Sequence, residues 1–365
     1  MKYFLLIVDL IKFFRPSFAG TLVKCGVALE VLAFGGYKLI FEYDRYINNG
    51  HLAVGINTSD TSEIVLYIIG VFGALLMIGG FWIGIKDWVT LRRNNARKKN
   101  IIIELRGLSA TLNQSLKSSI SKTMIGQVDE VLVEIGQHVT AGTSSELEKA
   151  LDKVNNIHSR IETAIAGKDP GDVSIHAGTV APTPFQFLFG VILDDEFSPN
   201  VWEYERLKDE WQTLDQNEPS IVVNEQIDPR ISSQDTEVVV AVAATFAVLD
   251  STISNTWPNL KVAKIENPTA TPNSIWTEAD QVQIVESFLR VMALLKNRGV
   301  KKVHLALAAS PSICIRLGRH FDQRNLPEVT VYQFDRSSNR YTWGVEIASI
   351  GTQIDPKKGK LVQPN

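Results

Sequence analysis

The sequence has 365 residues and is short of the side chains that most chemistries need. It holds two cysteines, Cys25 in an apolar stretch and Cys314 in a predicted helix. Neither belongs to a disulfide framework or a CxxC metal pair, and a reducing, cytosolic setting for the soluble part fits. The six histidines, at 51, 138, 158, 176, 304 and 320, have no metal-ligand spacing. No GxGxxG follows a strand and no GxxxxGK(S/T) occurs, so dinucleotide and P-loop sites are unsupported. GxSxG and HExxH are missing too. No catalytic residue, metal or cofactor is expected. Met1 to Phe14 is apolar but has no basic leader and no small-residue cleavage site, and it does not read as a cleaved signal peptide.

One long stretch without charge is present. Ile64 to Ile85 lies between Glu63 and Lys86 and contains no Asp, Glu, Lys, Arg or His. At about 1.5 Å rise per residue it spans the roughly 30 Å hydrocarbon layer of a bilayer. A second apolar segment, Phe18 to Phe41, carries Lys24 and Lys38 near its ends and Glu30 near its middle. The lysines can snorkel. An ionised Glu30 costs at least ~2.5 kcal/mol in a bilayer. It either faces a partner helix or water path in an oligomer, or is protonated in a tilted span. Gly80 and Gly84 form a GxxxG, a spacing that lets helix backbones approach and points to self-association.

Basic residues set the expected orientation. Lys86, Arg92, Arg93, Arg97, Lys98 and Lys99 follow the second span, and Lys2, Lys12 and Arg15 precede the first. Arg45 is the one Lys or Arg between Glu42 and Glu63. Both termini are therefore expected in the cytoplasm, with Met1 to Phe14 as a candidate interfacial helix. Residues 1–100 carry 12 Lys and Arg against 7 Asp and Glu, a net of +5, and 101–365 carry 25 against 33, a net of −8. A basic membrane part suits an anionic leaflet. An acidic soluble part argues against binding long nucleic acid.

Residues 101–166 read as a helical connector. Ser145 and Glu148 are spaced as a capping box, and Leu147, Leu151, Val154, Ile157, Ile161 and Ile165 form one apolar stripe. Gly167 to Pro184 reads as a linker. From Phe185 onward strands and helices alternate. Expected strands are Phe185–Leu193, Ile221–Val223, Glu237–Ala244, Leu260–Glu266, Lys302–Ala308, Val329–Phe334 and Tyr341–Ile347. Expected helices are Val201–Leu214, a segment reaching about Asn255, Thr277–Arg298 and Ser310–Gln323. The alternation predicts an α/β, Rossmann-like parallel sheet, with ligands at the carboxyl ends of strands. Those ends are Ala244/Thr245, Glu266/Asn267, Ala309/Ser310 and Asp335. Ser310 caps a helix start, whose amides and the hydroxyls of Ser310 and Ser312 can receive a phosphate. An ordinary strand-to-helix turn is the alternative. Tyr341 and Trp343 either stack on a base or alternate in a terminal strand.

Val303 to Asp322, VHLALAASPSICIRLGRHFD, with VTVYQFD (329–335) and RYTWGVEI (340–347), resembles the SAVED domain. VVVAVAAT (238–245) joins the resemblance, and Gly318, Arg319 and Asp335 match its pattern. The likeness covers about 237–347, and a first CARF-like half is expected in shortened or diverged form over 184–236. SAVED domains are similar to CRISPR-associated sensors and bind cyclic oligonucleotides in the bacterial anti-phage system CBASS. The resemblance implies a membrane effector with a module over 1–100, a connector, a linker over 167–183 and a sensor over 184–365. It implies a cyclic di- or trinucleotide ligand made by a nucleotidyltransferase, self-association and disruption of the inner membrane. Thr245, Asn267, Ser310 and Ser312 are the expected ligand contacts; Glu30, Gly80 and Gly84 serve membrane or oligomer packing. A membrane-anchored Rossmann-like enzyme that binds or cleaves nucleotides, and a passive scaffold recruiting a partner through 101–166, remain alternatives.

Overall fold

Size, not polarity, sorts the faces of the longest helix. In the computed structural model, which describes residues 18–47, 63–108, 114–121, 124–194, 197–206, 208–271, 274–347 and 357–364, the chain divides into units Met1–Arg97 and Lys98–Asn365. The first unit holds helices α1 (Phe18–Ile47) and α2 (Glu63–Arg97). Along α2, Gly70, Gly73, Gly80 and Gly84 are buried. Ile64, Ile68, Val71, Phe72, Leu75, Ile78 and Trp82 are exposed. A Cβ on Gly80 would meet Ala19, Leu22 and Val23 of α1, and one on Gly73 would meet Gly26, Leu29 and the Glu30 side chain. Gly80 is thus occupied by a helix of its own chain, and Glu30 lies beside Gly73. By length and composition one helix among the described residues, Ile64–Arg97, can cross a membrane. Lys2, Lys12, Arg15 and the interfacial reading of Met1 to Phe14 fall outside the described residues, as does most of the loop between the helices.

The second unit holds the same sheet twice. One sheet contains β1 (Lys99–Arg106), β2 (Gln127–Glu134), β3 (Val173–Val180), β4 (Asn200–Glu205) and β5 (Glu210–Gln212), in the order β2-β1-β3-β4-β5. Neighbours are parallel except β4 and β5. The other sheet contains β6 (Asn224–Ile227), β7 (Glu237–Ala243), β8 (Val262–Glu266), β9 (Lys302–Ala308), β10 (Glu328–Asp335), β11 (Arg340–Ile347) and β12 (Gly359–Val362). Its order is β12-β11-β10-β9-β7-β8-β6. The run β8-β7-β9-β10-β11 repeats the first sheet in order and sense, antiparallel last pair included. Side chains repeat with it. The Trp202 indole N–H donates to His176 Nδ1 at 3.2 Å across β3 and β4, and His304 Nδ1 lies 3.0 Å from the Tyr332 hydroxyl across β9 and β10. Tyr204 packs on Trp211 as Phe334 packs on Tyr341.

This arrangement corrects the reading upstream of Glu237. The supposed connector contains β1, built on the run Ile101–Ile103, and β2, with Val128, Val131 and Val133, beside short helices. Its apolar stripe is buried as expected, but it breaks at Asn156 into α5 (Ser144–Asn155) and α6 (Ile157–Ile165), after α3 (Leu116–Ile120) and α4 (Gly136–Ala141). Thr143, not Ser145, is the N-cap of α5, and no side chain caps it. The supposed linker contains β3. Its small residues answer to packing: a Cβ on Gly178 would lie 2.6 Å from the Trp211 ring. Phe185–Leu193 is not a strand but lies in helix α7 (Thr183–Leu193), buried on every side. A short apolar run does not distinguish the two. Val201–Leu214 is not a helix but β4 and β5, turning at Asp209 with φ +56°. Ile221–Val223 precedes β6 and is not itself in a strand. A first half does exist, but its strands begin at Lys99 rather than after Pro184.

Downstream the expected elements appear: α8 (Asp250–Thr256), α9 (Glu278–Asn297) capped by Thr277, and α10 (Pro311–Arg319). One core runs through both sheets. Helices α7 and α10 hold them together. A Cβ on Gly190 of α7 would overlap the Ile315 carbonyl of α10, and one on Gly318 of α10 would overlap the Phe187 carbonyl of α7. Each glycine stands seven positions after the first residue of its helix, so the crossing is reciprocal. It lets Phe185, Phe187, Leu188, Phe189, Ile192 and Leu193 be buried completely, at about 1.5–3 kcal/mol each.

Gly190→Ala or Gly318→Ala should therefore lower the unfolding free energy by about 1–3 kcal/mol or more. Gly171→Ala, whose Cβ would sit 3.4 Å from Asp169, should change it little. Thermal melts of the detergent-solubilised chain test this.

Candidate functional site

The parallel runs of the two sheets, β2-β1-β3-β4 and β8-β7-β9-β10, present their carboxyl strand ends to one place. There they enclose a cleft of about 760 Å³. The first half supplies Leu108, Pro182, Thr183, Glu203, Tyr204 and Arg206 to its walls; the second supplies Thr245, Phe246, Ser310, Gln333, Phe334 and Trp343. Helices α7 and α10 both start at this cleft, as strand-end crossovers require.

The two halves exchange helix caps. The Thr183 amide, first in α7, donates to Gln333 Oε1 of β10 at 3.1 Å. The Ser312 amide in α10 donates to Glu203 Oε2 of β4 at 2.9 Å. Glu203 and Gln333 hold equivalent positions in the two sheets, so each half closes the helix start of the other. Burial pushes the Glu203 carboxyl above the ordinary 4.5, while hydrogen bonds from Ser312 and Ser310 and the nearby Arg206 pull the other way. Burial also raises the Cys314 thiol, which keeps it neutral and unreactive.

The residues singled out in the sequence divide into two pairs. Thr245 and Ser310 line the cleft. Thr245 is 2 % exposed and its hydroxyl has no hydrogen-bond partner. Ser310 is the N-cap of α10, yet its side chain makes no capping bond and lies 3.3 Å from the Ser312 hydroxyl. Asn267 and Ser312 are buried and committed elsewhere. Asn267 Nδ2 donates to the Ala244 carbonyl at 3.2 Å and its Oδ1 accepts from the Thr269 amide and hydroxyl. The Ser312 hydroxyl accepts from Gln281 Nε2 at 2.6 Å. Asp335 lines the cleft with its carboxylate bonded to Ser337 and Ser338. Tyr341 is buried against Trp257, while Trp343 reaches the cleft.

Sequence reasoning missed Glu203, Arg206, Gln333 and Phe334. The signal was there: VWEYE (201–205) and VYQFD (331–335) match residue for residue in character. Among the described residues no group of three or more His, Cys, Asp or Glu can hold a metal ion. Among its described residues the cleft offers hydrogen bonds, aromatic faces and one cation, which is equipment for binding.

The sensor-domain model described as SMODS-associated and fused to various effectors (SAVED) matches residues 155–347. The SAVED-fused 2TM effector domain matches residues 3–151. No curated protein matches the chain. Among solved structures it is similar to the Acinetobacter baumannii Cap4 SAVED/CARF-domain containing receptor with the cyclic trinucleotide 3'3'3'-cAAA. That match has 14 % identity and a TM-score of 0.47, and covers 88 % of this chain and 76 % of that one. The Moraxella osloensis Cap4 receptor matches at 13 % identity and a TM-score of 0.44, covering 76 % and 58 %.

A carboxyl whose folded pKa is raised stabilises the fold fully below pH 4.5 and loses that contribution as pH climbs through the folded value. Glu203→Gln keeps an oxygen for the Ser312 amide and cannot ionise. Its melting temperature relative to the parent should rise steadily as pH increases from 4.5. Paired melts across pH 4.5 to about 8 measure that difference.

Proposed function

The chain belongs to the SAVED sensor-domain family, and from that membership we propose that it is a membrane effector of anti-phage defence switched by a cyclic oligonucleotide. The observation that carries this reading is a cleft at the carboxyl ends of a duplicated sheet, in a chain whose residues 3–151 match a SAVED-fused 2TM effector domain. Thr245 and Ser310 contact the ligand. Asn267 and Ser312 hold the turns beneath them. The ligand class is a cyclic di- or trinucleotide, the class implied by the family resemblance. The net of −8 over 101–365 disfavours long nucleic acid. The protein's own work is recognition and assembly, not catalysis.

In this proposal residues 1–100 are a multi-pass module in the bacterial inner membrane, with spans of about 18–41 and 64–85 and both termini cytoplasmic. The sensor starts near Lys99, where the first sheet begins. The exposed apolar face of α2 meets lipid and neighbouring copies. Gly80 packs against α1, Gly84 is buried one turn further along α2, and the half-buried Glu30 lies beside Gly73. Ligand binding favours an assembled state and, through it, membrane disruption. The ligand can shift that equilibrium only by binding the assembled state more tightly.

Screening the full-length protein against cyclic di- and trinucleotides should reveal at least one that raises its melting temperature by several degrees, as ligand linkage requires. The same compound should release dye from proteoliposomes. Ser310→Arg should abolish both responses. A panel without any stabilising member counts against the cleft as a receptor, whereas binding without leakage counts against the coupling.

A further inference from the structure

Helix starts at strand ends are ordinary phosphate sites because their first amides point outward unpaired. In this cleft that route is closed twice. Pro182, Pro184 and Pro311 carry no N–H. The Thr183 and Ser312 amides are held by Gln333 and Glu203. No two adjacent first-turn amides remain for a phosphate at either helix. The floor is unsuited to an anion in another way, because Glu203 contributes a buried carboxyl to it.

Among the described residues, positive charge enters the cleft at one place. Among the lining residues Arg206 is the single cation; it is exposed at the end of β4 and bonded to no side chain among the described residues. Deeper in, Thr245 presents the reverse situation, a neutral hydroxyl almost wholly buried and without a partner. Such a group costs stability until something bonds to it. At the rim, Phe246 and Phe334 are 52 % and 39 % exposed, and every nucleobase has a face to stack on such rings.

Resting on the reading that a cyclic oligonucleotide occupies this cleft, we infer that it lies with a phosphodiester at the Arg206 rim and a base edge on the floor at Thr245. Arg206 is the anion contact. Thr245 reads the base, and the aromatic rim residues hold base faces. The two ends of the cleft therefore recognise different parts of one ligand, although the sheets that build them are repeats.

Three full-length proteins in detergent, the parent, Arg206→Gln and Thr245→Val, decide this with the tightest-binding member of a cyclic di- and trinucleotide panel. Arg206→Gln should weaken binding about tenfold and flatten its dependence on salt between about 50 and 300 mM. Thr245→Val should weaken binding about five- to tenfold with the parent's salt dependence intact. Its unliganded melting temperature should equal or exceed the parent's, since an unpaired buried hydroxyl is gone. Parental salt dependence in Arg206→Gln overturns the phosphate assignment, and parental affinity in Thr245→Val overturns the base assignment. If no panel member binds the parent protein, the reading of the cleft falls first, and the orientation with it.

Discussion

Where α7 crosses α10, neither helix has room for a side chain between them. Gly190 sits over the Ile315 carbonyl and Gly318 over the Phe187 carbonyl. This close approach brings two independently hydrogen-bonded sheets into one core. It also determines where the two helix starts lie. Each helix runs from the cleft to the crossing over the same number of residues, so the crossing sets the position of Pro182 and Thr183 opposite Ser310 and Pro311. Larger residues at either glycine would push the halves apart and misplace the strand ends on both sides of the cleft.

The exchanged caps are a second consequence of that closeness. Glu203 and Gln333 bond helices of the opposite half only because the two β-strand ends face each other across a short gap. Their chemistry differs, and with it the character of each wall. Gln333 is neutral, and its amide N–H also donates to the Phe334 carbonyl. Glu203 is a buried acid that needs the Ser310 and Ser312 donors around it. A duplicated fold thus contains an asymmetric cleft. The asymmetry comes from single residues on a shared frame, as does the contrast between Thr245 and Leu108, which stand at corresponding ends of β7 and β1.

The second half was legible in the sequence and the first was not, for reasons visible residue by residue. Strands such as Glu237–Ala243 and Lys302–Ala308 are bounded by good turn and cap signals, and Thr277 and Gly299 mark both ends of α9. In the first half, packing overrides local preference. Gly178 looks like linker but is small because the Trp211 ring lies directly on it. The run Phe185–Leu193 has no polar face because α7 has no solvent face. Glu203 looks out of place in a strand until its partner across the cleft is known. Of the expected contacts, Thr245 and Ser310 follow from strand ends alone. Asn267 and Ser312 follow from the same rule but face inward, a distinction that depends on which neighbours bond to them. Aligning VWEYE with VYQFD, and His176 with His304, would have revealed the repeat.

The same seam limits how the sensor can respond. Separating the halves would leave the Thr183 and Ser312 amides without partners, at about 1–3 kcal/mol for each buried group. It would also uncover the apolar surface of α7. A ligand that opened the crossing would have to replace both of those bonds and the buried contacts of α7 as well. The favourable course is to leave the seam closed and change what the cleft displays. An empty cleft exposes Phe246, Phe334 and Leu108, the last 41 % exposed. A filled one covers or extends those residues with ligand. Any assembly step that the proposed function requires is therefore best served by the cleft mouth, where occupancy alters the surface without breaking the core.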